Sequence, residues 1–266
     1  MVRPLSSRAP SDLAVTRHPA GVPGRPRVVL VHGAPDRSRS FRKVIPLLAD
    51  LDVTVYDRRG YGESVGAPLA TSLDDHVADL VGIVEQVAPG GATVVGHSFG
   101  CNVAVATAIH RPDLVRSVGA WELPIPWVDW WPTPAFRDGL LGIAASADPE
   151  QLGEDFTRGG LAEGGWERLP ERLRLLLRAE GRAFQADIRT ITTPPYDIDA
   201  LATPAVFAAG GTTTTGHREA ARLLGRRPGA SLMVVEGAGH FGPANHPDDF
   251  AELVRRAVRL GWPTAP

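Results

Sequence analysis

The sequence predicts an α/β fold, with a mostly parallel central sheet, helices on both faces and an inserted, mainly helical segment. Three observations carry this. Apolar β-branched runs such as Arg27-Val28-Val29-Leu30-Val31 alternate with helix-period stretches, the pattern of a parallel sheet buried on both faces. The stretch Gly96-His97-Ser98-Phe99-Gly100 closes one such run and opens a helix of small residues, as a tight strand-to-helix corner does. The alternation then stops at Glu122, and strand signals return only near Ala205, a gap far beyond an ordinary connection.

Length and composition bound the rest. A chain of 266 residues can bury a large core, and one α/β domain with an insertion accounts for that length. The net charge is −2 without any block of like charge, which argues against nucleic acid or an anionic membrane as partner. A single cysteine, Cys101, rules out an internal disulfide framework and fits a reducing compartment, so a cytoplasmic location is expected. The start, Met1 to Asp12, is rich in Pro, Ser and Arg and lacks the apolar stretch of a secretion signal. No apolar run approaches membrane-spanning length, so membrane insertion is not expected. Composition leaves monomer and dimer equally open.

In chain order, Leu13 to Arg17 reads as a weak edge strand and Arg27 to Val31 as a buried one, ending in His32-Gly33-Ala34-Pro35. Phe41, Val44, Ile45 and Leu48 fall at i, i+3, i+4, i+7 and predict a helix capped by Ser38 or Ser40. Val53 to Tyr56 is the next strand. A helix follows from Ser72, with Asp75 completing a capping box and Val77, Leu80, Val81 and Val84 as its inner stripe. Ala92 to Val95 leads into the glycine-flanked corner, and Leu114 to Trp121 is a further strand, ending at Glu122. The insertion holds Trp127, Trp130, Trp131 and a helical run from Trp166 to Phe184. Strands at Ala205 to Ala209 and Ser231 to Val235 flank a helix around Glu219 to Leu224. A last helix starts near Pro247, with Phe250, Leu253, Val254 and Val258 inward.

The corner carries the chemistry. Glycines two residues either side of Ser98 fit a turn so tight that a Cβ there would collide with the neighbouring strand or helix. Ser98 then stands with its hydroxyl clear of the backbone and over a helix N-terminus, where N–H groups can hold an anion. The bland alternative is an ordinary glycine-rich turn; the strand before it and the small-residue helix after it weigh against that.

Four segments in this order, His32-Gly33-Ala34-Pro35, Tyr56-Asp57-Arg58-Arg59-Gly60-Tyr61-Gly62-Glu63-Ser64, Gly96 to Gly100 and Gly239-His240-Phe241, make the chain resemble the capped α/β-hydrolases. The resemblance covers nearly everything from Arg27 onward. It implies an α/β-hydrolase core of residues 1–122 and 202–266 and a helical cap of 123–201. It also implies Ser98 as nucleophile, His240 as general base, and the N–H groups of Ala34 and Phe99 as the oxyanion hole. Trp127, Trp130 and Trp131 suggest a largely apolar substrate pocket, although some of these rings must simply pack the cap. His97 and Phe241 beside the triad are expected to bind substrate as well. His32 is expected to be structural, His246 a cap, His217 exposed and Cys101 a packed thiol.

One element departs from the family pattern. The triad acid usually follows the strand at Ala205 to Ala209, yet that place reads Gly210-Gly211-Thr212-Thr213-Thr214-Thr215-Gly216. Three readings compete: a degenerate non-enzyme, a threonine that weakly orients His240, or an acid from elsewhere. Glu122 favours the third, because certain haloalkane dehalogenases place their acid there and the stretch Trp121 to Trp131 looks similar to theirs. A Glu between Trp121 and a Pro-rich apolar turn is also poorly solvated and calls for a charge partner.

The expected activity is that of a serine hydrolase acting on a carboxylic ester, lactone or thioester, with a small-molecule substrate as partner. No metal-ligand spacing or phosphate-binding loop is present, so neither metal nor cofactor is expected. Acyl transfer, carbon–carbon bond hydrolysis or a lyase reaction would use the same triad. A non-catalytic small-molecule receptor is the alternative from another class.

Overall fold

In the computed structural model, which describes residues 13–159 and 163–262, the chain forms one seven-stranded sheet. The Pro/Ser/Arg-rich start lies outside the described residues. The strands are β1 (Val15–His18), β2 (Arg27–Val31), β3 (Asp52–Tyr56), β4 (Ala92–His97), β5 (Val115–Trp121), β6 (Ala205–Gly210) and β7 (Ala230–Val235). Their order is β1-β3-β2-β4-β5-β6-β7, and all pair in parallel except β1, which runs antiparallel to β3. This is the α/β-hydrolase fold. Ser98 and Glu122 therefore leave adjacent strands, β4 and β5, at the carboxyl edge where open α/β sheets hold their ligands.

The β2 run shows why unbroken apolar strands were required. Val29 and Val31 join one core layer with helices α1 (Leu73–Val87) and α2 (Phe99–His110); Val28 and Leu30 join the opposite layer. Helix α1 starts at Ser72 with the full capping box to Asp75. Helices α3 (Pro134–Ala145), α4 (Pro149–Gly159) and α5 (Glu171–Thr190) lie between β5 and β6, and α6 (Thr215–Leu224) between β6 and β7. A short α7 (Gly242–Asn245) precedes α8 (Pro247–Gly261), which covers the second face with Phe250, Leu253 and Val254 fully buried. Among the described residues, no helix is long and apolar enough to cross a membrane.

Two expectations fail locally. The stretch Phe41 to Leu48 is two short 3₁₀ turns, Ser38–Lys43 and Ile45–Leu48, and neither Ser38 nor Ser40 caps them. Pro46 has no N–H for an α-ladder, although Phe41, Val44 and Leu48 are buried as the spacing required. The long helix of the insertion begins after Pro170 and not at Trp166.

Helix α5 is locked to the core by buried charge. Asp187 accepts hydrogen bonds from Arg58 (2.8 Å), Tyr61 (2.7 Å) and His76 (2.7 Å). Arg58 and Asp187 are both almost fully buried. Two turns away, Glu180 accepts both guanidinium nitrogens of Arg37 at 2.7 and 2.6 Å and the Gly62 N–H at 2.7 Å. Arg58 also donates to the carbonyls of His32 and Gly33, so the same side chain holds the loop that presents Ala34.

Candidate active site

The corner after β4 is built as its glycines demand. A Cβ on Gly96 would lie 2.5 Å from the Cys101 nitrogen, and one on Gly100 would lie 2.2 Å from the Val31 carbonyl oxygen. Between them Ser98 takes φ 51°, and Glu122 after β5 takes φ 59°. Among the described residues these are the two non-glycine positions with positive φ, a conformation that costs energy and is held only by surrounding contacts. Both strained residues belong to one site.

His240 joins them. Ser98 Oγ lies 3.1 Å from His240 Nε2, and His240 Nδ1 lies 2.7 Å from Glu122 Oε2. The stretch after β6 that lacks an acid instead donates to one: Gly210 N–H reaches Glu122 Oε1 at 3.0 Å, and the Thr213 hydroxyl reaches Oε2 at 2.7 Å. Thr213 thus meets Glu122, not His240. Burial alone would push the Glu122 carboxyl up. The hydrogen bond and charge of His240, with the Gly210 N–H, outweigh burial and hold it below the usual carboxylate range. His97 Nε2 and Trp121 Nε1 both donate to the His240 carbonyl, at 2.9 and 3.2 Å, fixing the loop that carries the imidazole. Ala34 and Phe99 flank Ser98, and neither backbone N–H meets an acceptor among the described residues.

The model of one hydrolase family matches residues 28–253, a span that includes all three of these side chains. The chain belongs to the alpha/beta hydrolase family. It is 27% identical to the lipase LipV of Mycobacterium tuberculosis over 94% of this chain and 98% of that one. It is 40% identical to epoxide hydrolase A of the same organism, over 44% of this chain and 38% of the relative. An esterase from Thermogutta terrifontis has the same fold, with a TM-score of 0.72 at 23% identity over 94% of this chain and 93% of that one.

In this member of the alpha/beta hydrolase family Ser98 and His240 open into a chamber of about 320 Å³. Its apolar wall comes from α3 (Phe136, Leu140, Ile143) and α5 (Phe184, Ile188), with Ile191 just beyond. The three tryptophans stand elsewhere. Trp127 and Trp130 line a separate surface cleft against Pro194 and Tyr196. Trp131 is buried behind the chamber wall, where a Cβ on Gly216 would meet its ring at 2.5 Å. Large flat rings fill volume wherever close backbone approach leaves room, and here that room lies outside the chamber. Phe241 is half exposed and His97 buried; both line a narrow slot on the other side of Ser98. His32 accepts the Arg58 N–H within the core, and the Cys101 thiol donates to the Trp121 carbonyl. His246 occupies the N-cap position of α8 without a side-chain capping bond.

His217 was missed. It is 4% exposed, not solvated, and lines the chamber with its ring 5.3 Å from that of His240. Its Nδ1 lies 2.7 Å from the Thr214 hydroxyl, and its ring stands edge-on to Trp131 and Phe136. Trp131, Phe136 and His240 pack around it, and no local pattern announces that. Glu122, His217 and His240 have donor atoms within 4.8 Å of one another, a set of the kind that binds transition metals. Both Glu122 oxygens already accept hydrogen bonds, one of them from His240 Nδ1, and His217 Nδ1 is paired with the Thr214 hydroxyl.

Burial lowers the His217 pKa from 6.5 to about 4, with the neighbouring His240 charge acting the same way. The unfolded chain therefore binds a proton below pH 6.5 that the folded chain refuses until about pH 4. Stability is full above that window and falls through it as pH drops, by up to about 3 kcal/mol. His217→Gln is expected to shrink the loss of urea midpoint between about pH 7.5 and pH 5. A variant whose midpoint falls as far as the parent's would contradict this assignment.

Proposed function

We propose that this protein is a serine hydrolase that cleaves a carboxylic ester, lactone or thioester through an acyl-enzyme. The observation that carries the reading is the unbroken line from Ser98 Oγ through His240 to Glu122, opening on an apolar chamber. Ser98 Oγ adds to the substrate carbonyl carbon while His240 Nε2 takes its proton. The N–H groups of Ala34 and Phe99 hold the negative charge that develops on the carbonyl oxygen. The bond to the leaving group then breaks, and His240 returns the proton to that group. Water repeats the sequence, His240 again acting as base, and releases the acid and free Ser98. Glu122 holds the imidazole with Nδ1 protonated and stabilises the imidazolium formed at each attack. Residues 123–201 act as the cap that closes the chamber, with 1–122 and 202–266 as core.

A serine at the corner separates this reading from epoxide or alkyl-halide opening. Attack by a hydroxyl on those carbons would leave an ether, which water cannot readily cleave, whereas an acyl-serine is an ester that a triad can hydrolyse. The near full-length similarity to a lipase supports the same choice.

A fluorophosphonate should label folded protein at Ser98 alone, as read by mass spectrometry, because among the described residues only this hydroxyl has both a base and free N–H donors beside it. Label that persists in Ser98→Ala, or none on the folded parent, would overturn the enzyme reading in favour of a receptor.

A further inference from the structure

The chamber is one of two spaces that meet at Ser98. On its other side a slot bounded by Ala34, His97, Ser98, His240 and Phe241 runs outward. It shares Pro35, Asp36, Ser40 and Phe241 with a surface groove of about 460 Å³. The two spaces differ in chemistry. The chamber wall is aliphatic and aromatic, with polar side chains only from Ser98, Thr213, Thr214 and the two histidines, and carries no Arg or Lys. The groove contains three arginines, Arg37, Arg39 and Arg42.

The acidic groups at this groove are already engaged. Glu180 accepts both guanidinium nitrogens of Arg37 and the Gly62 N–H. Asp36 accepts the Arg37 N–H, and its other oxygen lies 3.7 Å from His97 Nδ1. Arg39 and Arg42 are exposed and, among the described residues, neither guanidinium meets a carboxylate or a carbonyl. Both belong to the 3₁₀ turn Ser38–Lys43, three residues apart, and in such a turn i and i+3 eclipse. Phe41, fully buried between them in sequence, anchors the turn to the core, so the two guanidinium groups share one outward ridge. Lys43, the next residue, is tied to the far bank by its bond to the Ala244 carbonyl at 3.0 Å. Two adjacent unpaired guanidinium forks match a phosphate or carboxylate in shape and charge.

We propose that the substrate is bipolar: an apolar part fills the chamber on one side of the scissile carbonyl, and a phosphate or carboxylate on the other side lies in the groove against Arg39 and Arg42. This deepens the acyl-enzyme reading and rests on it. The test uses matched pairs that differ only in charge. Hexanoyl-4′-phosphopantetheine is compared with hexanoyl-pantetheine for a phosphate source, and hexanoyloxyacetate with hexanoyloxyacetamide for a carboxylate source. The anionic member of at least one pair should have kcat/KM higher by roughly tenfold, carried in KM, and the advantage should shrink as ionic strength rises. In folded Arg39→Ala/Arg42→Ala the two members should be turned over alike. Equal rates in both pairs with the parent enzyme, or a preference that survives in the double variant, would overturn the bipolar substrate while leaving the serine mechanism intact. No turnover of any of the four, with Ser98 unlabelled by fluorophosphonate, would instead remove the acyl-enzyme reading and this inference with it.

Discussion

Glu122→Gln should lower kcat by about 10³ to 10⁴-fold, by analogy with loss of the acid in other serine triads, while leaving the protein folded. The carboxylate accepts three hydrogen bonds, from Gly210 N–H, Thr213 and His240. An amide of the same size can keep accepting the Gly210 N–H only if its NH₂ takes the place of Oε2, toward Thr213 and His240. That orientation forces Nδ1 to accept, places the proton on Nε2 and removes the base from Ser98. The other orientation sets the NH₂ against the Gly210 N–H, a clash of donors inside a fully buried site. Neither provides negative charge for the imidazolium. The measurement is steady-state kcat on the best ester found, with circular dichroism as the check on folding. A folded Glu122→Gln enzyme within a few-fold of the parent would sink the assignment. Thr213→Val should be much milder, because Gly210 and His240 still engage the carboxylate.

Asp187→Ala should destabilise the fold by about 3–5 kcal/mol, the usual result of stranding a buried charge. Arg58 would remain fully buried without its counter-ion, and Tyr61 and His76 would each lose their partner. For a chain of this size the midpoint of thermal unfolding should fall on the order of 10 °C. The pH dependence identifies the cause. Burial alone would raise the Asp187 carboxyl; the Arg58 and His76 charges and their hydrogen bonds overcome this and lower it. A carboxyl held low when folded contributes stability above its unfolded pKa of about 3.9 and loses it as pH falls toward the folded value. The gap between parent and Asp187→Asn should therefore be widest near neutrality and close in acid. A gap that stays constant down to about pH 3 would mean that lost packing, not charge, set the difference.

Much of this molecule was legible because backbone rules are local. Gly96, Ser98 and Gly100 announce their corner through steric limits that act within five residues, and the β2 run declares its double burial by composition alone. Glu122 could be named from the resemblance of Trp121 to Trp131 to dehalogenases that carry their acid there, with the poor solvation of a carboxylate in an apolar turn as support. What composition could not reveal is where the insertion docks. Trp127, Trp130 and Trp131 carry no signal that separates a pocket wall from a packing wedge. Phe136, Leu140, Ile143 and His217 are ordinary residues until α3 settles over Ser98. Phe41, Val44, Ile45 and Leu48 matched a helical stripe, and only Pro46 hinted that the ladder would break into 3₁₀ turns.

Helix α3 has a consequence for how such a protein changes over generations. None of its residues is fully buried, and the ties named for α5, Arg58–Asp187 and Arg37–Glu180, bypass it entirely. Yet it contributes Phe136, Leu140 and Ile143 to the chamber. Exchanging one of these side chains redraws the space offered to a substrate while sacrificing little of the burial that keeps the sheet together. Gly96 and Gly100, by contrast, have backbone within 2.5 Å of any added methyl group and tolerate nothing. Innovation and inheritance are thus assigned to different parts of the chain: a rigid corner that preserves the reaction, and an outer helix free to drift toward new substrates.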